Sequence, residues 1–416
     1  MTEQKPQIFM RNEHSISRSD IDPDALTVLY GLSNQGFSSY MVGGSVRDIL
    51  LGQKPKDFDV ATNARPRQVK KLFKNCWLIG RRFRLAHVKF GSYPEKIVEV
   101  ATFRAATVAK KDNEEVETLA DDNTFGTAAE DALRRDFTIN ALFYNIKDFT
   151  VIDYVGGVED IRKKILRSIG DPRVRYVEDP VRMLRALRYS KRLGFSIAAE
   201  DMAALSEYGD LLKEVPYSRL TEELHKMFAT GQAEVIFKGL KDYDLVRHMA
   251  PGLNKMLNDK NCYAVLKKMD TLLTHPCPPT KAELWAALVD ECWESLGVIF
   301  KGPVDIRNQE RIQTALESLN VSKRDREICC HLLTTLTQMK GSGPVKERLL
   351  RRKHFPMSLR LYSWRSERHP EELDNFERWY RAAEKQGVTE VVALAASAPR
   401  QRRKRRRRKI NPSGTH

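Results

Sequence analysis

The chain has 416 residues, 41% of them hydrophobic, so it is too long for one typical domain and apolar enough for more than one core. No apolar run reaches the ~20 residues of a membrane-spanning helix, and the opening MTEQKPQIFMRNEHS lacks the apolar stretch of a secretory signal, which together suggest a cytoplasmic protein. A formal charge of +16 points to a polyanionic partner, nucleic acid ahead of an anionic membrane surface, because no amphipathic anchor accompanies it.

Residues 1–19 are polar and are expected to form a flexible N-terminus. Ile21 to Gly36 reads as a helix capped by Asp20 or Asp22, with Ala25, Leu26, Leu29 and Leu32 at helical spacing. Tyr40-Met41-Val42 reads as a strand, and Gly43 and Gly44 follow as a turn whose backbone can approach a phosphate closely. VRDILLG has the spacing of a short helix, and after a polar turn comes Asp57-Phe58-Asp59-Val60. In a strand, Asp57 and Asp59 would stand side by side on one face with Phe58 in the core. Two carboxylates so placed repel each other unless a cation shares them, and Mg²⁺ bridges such pairs to substrate phosphates.

Pro66 opens a helix to Phe73, and Cys76–Ile79, Leu85–Val88 and Ile97–Val100 read as further strands of the same sheet. Between the first two of these strands, Arg81, Arg82 and Arg84 suit triphosphate or RNA phosphate contacts, or form a solvated basic turn. Glu99 interrupts an apolar strand; beside a metal pair it is a candidate third carboxylate, and otherwise it simply faces solvent. Ala105 to Asn123 has no period and reads as a mobile loop near the site. In EDALRRDFTINALFYN a helix to Arg134 gives way to a strand from Phe137 to Tyr144, and Phe149 to Tyr154 can pair with it as a hairpin. The strand signal ends there, and the chain reads as helical from Ile161.

Tyr176-Val177-Glu178-Asp179-Pro180 begins a helix, with Asp179 as its N-cap and Pro180 at the first helical position, in which Arg182, Arg185, Arg188 and Arg192 fall within about 120° of the helical wheel. Helical patterns recur to about Gln386, broken by Pro276-Cys277-Pro278-Pro279 and Gly341-Ser342-Gly343-Pro344. From Lys346 to Lys385 basic residues interleave with Phe355, Tyr362, Trp364, Trp379 and Tyr380, a composition that can stack bases or fill a helical bundle, the second being favoured for most rings. The six cysteines have no disulfide or zinc spacing. Nine of the ten residues from Arg400 to Lys409 are basic, so subtracting nine from sixteen leaves +7 on the rest of the chain. That run, with Arg402, Arg403, Lys404, Arg405 and Arg406, is expected to stay disordered and attract RNA.

GGSVRD followed by DFDVAT resembles the head signature of the class II nucleotidyltransferases, the bacterial poly(A) polymerases and CCA-adding enzymes. RRDFTINA resembles their second head motif, and EDPVRMLRALRY their nucleotide-selecting motif. LIGRRFRLAHV is similar to the segment that separates poly(A) polymerases from CCA-adding enzymes. The resemblance implies an α+β fold, a nucleotidyltransferase (polymerase-β-like) head with a small mixed sheet followed by an all-helical neck, body and C-terminal region. It places the head at 20–165, the neck at 166–240, the helical body at 241–397 and a basic tail at 398–416.

It further implies template-independent transfer of AMP from ATP to RNA 3′ ends, with CCA addition to tRNA as the alternative. Asp57 and Asp59 would hold two Mg²⁺ ions, with Asp136 in the active site. Gly43, Gly44, Arg47 and Asp48 would form the phosphate-binding turn, Arg134 and Arg135 would handle ribose and triphosphate, and Asp179 and Arg182, with Arg185, would read the base. A monomer working with RNA-decay proteins is the expected setting.

Overall fold

The computed structural model describes all of the chain except residues 1–4, 81–84, 92–95, 106–124, 276, 297–305, 342 and 389–416. Arg81, Arg82, Arg84, the basic run Arg402, Arg403, Lys404, Arg405 and Arg406, and nearly all of the expected loop from Ala105 therefore lie outside the described residues. The chain divides into two compact units, Met1–Arg219 with Lys238–His248, and Leu220–Phe237 with Met249–His416. Residues 166–219 of the expected neck lie in the same unit as the expected head.

The first unit is built on an eight-stranded sheet. In chain order its elements are β1 (Gln7–Phe9), α1 (Pro23–Asn34), β2 (Ser39–Val42), α2 (Gly44–Leu50), β3 (Asp59–Thr62), α3 (Pro66–Leu72), β4 (Cys76–Ile79), β5 (Leu85–Phe90) and β6 (Lys96–Thr102). They continue with α4 (Ala128–Arg134), β7 (Leu142–Asn145), β8 (Thr150–Asp153), α5 (Gly157–Lys163), β9 (Ile165–Leu166), α6 (Pro172–Glu178), α7 (Val181–Leu193), β10 (Ser196–Ile197) and α8 (Ala199–Tyr208). The sheet order is β1-β8-β7-β2-β3-β6-β5-β4, and every neighbouring pair is antiparallel except β3 with β6.

Strand alternation gives the sheet two unlike faces. One buries Met41, Val60, Val98, Val100, Ala86, Val88 and Cys76 beneath α1 and α3. Helix α1 starts where Asp22 accepts the Asp24 N–H at 2.9 Å and Pro23 takes the first helical position, and it buries Ala25, Val28, Leu29 and Leu32. The opposite face is divided. Over β2, β3 and β7 an apolar cluster of Val42, Ala61, Phe103, Ala132, Ala141, Phe143 and Ile169 covers it. Over β4, β5 and β6 its outward residues Trp77, Ile79, Ile97 and Glu99 are exposed.

Several sequence expectations need correction. The N-terminus is not wholly loose: Gln7, Ile8 and Phe9 pair with Asp153, Ile152 and Val151, and Phe9 and Ile16 are buried. The strand expected from Phe137 starts only at Leu142, because Thr138–Asn140 form a 3-10 turn. Local side-chain bonds compete with the ladder there: Phe137 N–H donates to its neighbour Asp136 at 2.8 Å, and Thr138 Oγ1 donates to Asp160 at 2.7 Å. The helix expected after Asp179 is preceded by another: Tyr176 lies within α6, which Asp171 caps through the Arg173 N–H at 2.9 Å. Asp179-Pro180 separates α6 from α7, and Asp179 Oδ1 accepts the Val181 N–H at 3.2 Å, close to the expected cap. The strand signal also does not end at Ile161, since β9 and β10 form a short parallel pair.

The second unit is helical. Its core holds Trp285 on the helix Lys281–Glu291, Tyr362 on Phe355–Arg368 and Trp379 on Leu373–Lys385, all essentially inaccessible. Phe228 stacks on Phe237 at 5.0 Å and meets Trp285 edge-on at 4.9 Å. The rings of the basic and aromatic segment after Lys346 thus mostly fill a bundle. Arg360 is buried with them and donates from Nε to Glu283 at 2.7 Å. All six cysteines are free thiols, and no described helix is long and apolar enough to cross a membrane.

Candidate active site

The site forms where the covered and open halves of the sheet meet. Strand register aligns Val42, Asp59, Glu99, His87 and Trp77 in one row across β2, β3, β6, β5 and β4. Asp59 is the first residue of β3, whereas Asp57 precedes the strand in an exposed turn whose Pro55 and Phe58 are buried. The expected side-by-side strand pair is therefore corrected: Asp59 takes Glu99 as its neighbour in register, and Asp57 approaches from the turn.

Part of Asp59 reaches solvent, yet its carboxyl is pushed up to about 6. Desolvation by the surrounding protein is the largest cause, the Glu99 charge adds to it, Arg135 opposes it, and Asp57 contributes least. Glu99 lies 3.5 Å from His87 Nε2 across the next strand pair. Among the described residues, no group of three or more His, Cys, Asp or Glu is drawn together tightly enough to hold a metal unaided. The arrangement fits a hard cation that takes one or two carboxylates and completes its shell from water and a phosphorylated substrate.

Gly43 links β2 to α2 at φ 73° and ψ −130°, a conformation that side-chain-bearing residues rarely adopt. A Cβ there would stand 3.1 Å from Arg135 Nη1, so the Arg135 guanidinium lies directly against the turn. Gly44 opens α2, and Ser45 Oγ donates back to the Val42 carbonyl at 3.0 Å. Arg47 and Asp48, expected at the phosphate-binding turn, are buried beneath it. Arg47 Nε donates to Asp48 Oδ1 at 2.8 Å and Nη1 donates to Asn140, while Arg192 Nη2 donates to Asp48 Oδ2 at 3.3 Å. These bonds tie α2 to α7 and to the turn before β7.

At the end of α4, Arg134 Nη1 donates to the Ala105 carbonyl at 2.9 Å, and Arg135 pairs with Asp131 at 3.0 Å and donates to the Asn140 carbonyl at 3.2 Å. Asp136 has both carboxylate oxygens engaged. Oδ2 accepts from Arg185 Nε at 2.8 Å and Nη2 at 2.5 Å, and Oδ1 accepts from Asn140 Nδ2 at 3.1 Å as well as from the Phe137 N–H. Burial alone would raise its carboxyl, but the Arg185 charge and these hydrogen bonds outweigh that and hold it below the usual range. Such a carboxylate is placed to orient Arg185. Further along, Arg182 Nη1 donates to Glu178 and to the Arg175 carbonyl, both at 3.0 Å, and Asp179 pairs with Arg219 at 2.9 Å.

Residues 39–167 match the family model described as "Poly A polymerase head domain", and residues 194–271 match "Probable RNA and SrmB- binding site of polymerase A". Poly(A) polymerase I of Salmonella typhi is 38% identical over 420 residues, spanning 94% of this chain and 86% of that protein. The chain belongs to the poly(A) polymerase family. Poly(A) polymerase I of Escherichia coli O6:H1 is 40% identical over 359 residues, 80% of this chain and 74% of its own. The crystal structure of the Bacillus stearothermophilus CCA-adding enzyme in complex with CTP superposes with a TM-score of 0.60 at 25% identity, over 90% of this chain and 82% of that one.

Within this poly(A) polymerase head, several residues near the site escaped sequence reasoning. Arg175 Nη2 donates to the Arg134 and Arg135 carbonyls at 2.8 and 2.6 Å, fixing the segment that carries both arginines. Tyr189 is ringed by guanidinium groups, with Arg47, Arg185 and Arg188 at 5.4, 5.5 and 4.5 Å from its centroid. Asn140 lies inside RRDFTINA, so the motif contained it, but only the fold reveals that it bridges Arg47 and Asp136. His87 lies near the end of LIGRRFRLAHV and Trp77 just before its start, but neither is singled out there. Their place in the carboxylate row comes from register alone.

Proposed function

We propose that the protein transfers AMP from ATP to the 3′-hydroxyl of RNA without a template. The observation that carries this reading is the row at the edge of the covered sheet face. Asp59 there has its carboxyl pushed up to about 6 beside Glu99 and Asp57, next to the Gly43 turn and Arg135. Negative charge accumulated against its own repulsion is what a divalent cation relieves. Asp57 and Asp59 would hold Mg²⁺, with Glu99 as the candidate third ligand. Bound there as a pair of ions, Mg²⁺ would lower the pKa of the attacking hydroxyl and neutralise charge on the triphosphate and departing pyrophosphate.

The chain's own groups do the positioning, which is most of the catalysis in phosphoryl and nucleotidyl transfer. The turn at Gly43 and Gly44 lets the triphosphate come close to the backbone, and Arg135 adds its charge beside that turn. Arg134 is anchored to the Ala105 carbonyl in the same segment. Asp136 fixes Arg185, and Arg47 and Asp48 brace α2 from below. Asp179 and Arg182 would read the edge of adenine by exchanging the partners they hold here, Arg219 for Asp179 and Glu178 with the Arg175 carbonyl for Arg182. The RNA 3′-oxygen forms a bond to the α-phosphorus, the bond from that phosphorus to the β-phosphate oxygen breaks, and pyrophosphate leaves. The hydroxyl proton passes to solvent.

Purified protein given an oligoribonucleotide, or a tRNA lacking its end, with each nucleoside triphosphate in turn tests this reading. A long ladder from ATP alone is expected. Addition of three nucleotides restricted to tRNA would instead assign CCA addition, the activity named for the superposed Bacillus enzyme. No extension with any substrate would overturn both.

A further inference from the structure

The open half of the catalytic sheet face departs from the pattern of a solvated sheet. Antiparallel strands with one wet face place polar residues outward. Here the outward positions of β4 are Trp77 and Ile79, 48% and 49% exposed, and Ile97 of β6 is 40% exposed. Between them β5 presents His87, paired in register with Trp77, and Lys89, paired with Ile97. Lys89 Nζ lies 4.4 Å from the centre of the Trp77 ring. A half-exposed indole carrying an ammonium group, flanked by apolar side chains, is an exposed patch of the kind that marks a binding surface.

Its position identifies the occupant. The same register that aligns His87 with Trp77 aligns His87 with Glu99 and Glu99 with Asp59. The patch is therefore continuous with the proposed catalytic carboxylates along one row of the sheet. At ~4.8 Å between strands, Trp77 stands three strands, or roughly 14 Å, from Asp59. At a rise of ~3.4 Å per stacked nucleotide, that distance is spanned by about four nucleotides of single strand. Aromatic rings beside basic side chains hold single-stranded RNA without regard to sequence, since every base has a face to stack and every linkage a phosphate to neutralise.

We propose that this sheet face is a platform for the RNA 3′ end, with Trp77 stacking a base about four nucleotides upstream of the terminus and Lys89 meeting the phosphate beside it. The inference rests on the polymerase reading of the site and adds a primer contact outside residues 194–271, the segment matched by the RNA-binding family model. A platform of this kind explains how a template-free enzyme can hold a strand of any sequence against its carboxylates.

The test compares full-length wild type with Trp77→Ala and Trp77→Phe, using ATP with an oligo(A) of about a dozen nucleotides and with a dinucleotide primer that cannot reach the ring. On the longer primer, Trp77→Ala should raise the KM for RNA about tenfold while the KM for ATP holds, and Trp77→Phe should restore most of the affinity. On the dinucleotide the variant and wild type should agree. An equal change on both primers would reduce Trp77 to a structural role. No change on the longer primer would overturn the platform and leave the face to a protein partner. Fluorescence anisotropy of labelled oligo(A) gives an independent readout. Weaker binding by Trp77→Ala in a protein that transfers no AMP would sink the polymerase reading and keep the platform, whereas unchanged binding would sink the platform whatever the activity.

Discussion

Two carboxylates, one in each unit, are treated in opposite ways. In the helical unit, Asp290 accepts from Lys340 Nζ at 2.7 Å and from Arg365 Nη1 at 3.1 Å. Burial would raise its carboxyl, but those two cations more than compensate and hold it low. In the sheet unit, Asp59 meets desolvation together with Glu99 and Asp57, with Arg135 in opposition, and its carboxyl rises to about 6. The acid that joins helices has its cations built in. The acid in the row with Glu99 is left with surplus negative charge, which costs stability unless a ligand supplies the counter-charge. The direction of the shift separates these two acids but is no general rule for the units, since Asp136 in the sheet unit is also held low and Asp270 in the helical unit is also raised.

The sharpest way to break that contrast is at Asp59. Replacing it with Ala, or replacing Asp57 likewise, should lower AMP transfer by more than about 100-fold, since ligand and charge are lost together. The thermal midpoint should hold or rise because a repulsion is removed. Activity retained at more than a few per cent in a Mg²⁺ assay would mean that the carboxylates do not hold the metal.

The opposite outcome is expected in the helical unit. Glu283→Ala leaves Arg360 buried without its carboxylate and should cost about 3–5 kcal/mol in a urea titration. A loss below ~1 kcal/mol would show that the buried pair does not act as architecture. Smaller again is the effect of Arg182→Ala, which should reduce the preference for ATP over CTP by about 1–3 kcal/mol, read from kcat/KM for each nucleotide. Full selectivity in that variant would place base choice elsewhere.

The least effect concerns acid. Asp290 has a folded pKa below its unfolded value of about 3.9, so its contribution to stability is fully present above that value and is lost as pH falls through the folded one. Asp290→Asn should be less stable than wild type at neutral pH and should lose less on acidification below about pH 4. Parallel acid limbs for the two proteins would contradict the assignment.

Legibility followed the range of the interactions. The glycine turn, the spacing of Asp57 and Asp59 and the helix of Arg182 were legible because each lies in a short stretch with its own pattern, whereas RRDFTINA stood out by resemblance alone. Glu99 was readable as an acid in an apolar strand, but its pairing with Asp59 depends on parallel register between strands separated by α3, β4 and β5. Alternation in CWLI and LAHV does not say which face will be open, so the place of Trp77 and His87 in that row carried no signal, although His87 sits within LIGRRFRLAHV. The burial of Arg47 had no local signal either, since one of its partners is Asn140, 93 residues later. The helices after Ile161 followed periodicity, whereas Glu283 and Arg360 meet across 77 residues and nothing local links them.

The short strand β1 carries one more consequence. It covers the outer side of β8, so β8 has its backbone groups paired over Val151 to Asp153 and the sheet's edge on that side is the three-residue β1, a short strand of the kind that blunts edge pairing. Uncapped strands recruit strands from other molecules. Removing residues 1–10 should therefore leave AMP transfer largely intact in dilute solution while making the protein self-associate as its concentration rises, detectable by light scattering. Three residues that look like part of a loose end would then set how concentrated this enzyme can become before it begins to pair with itself.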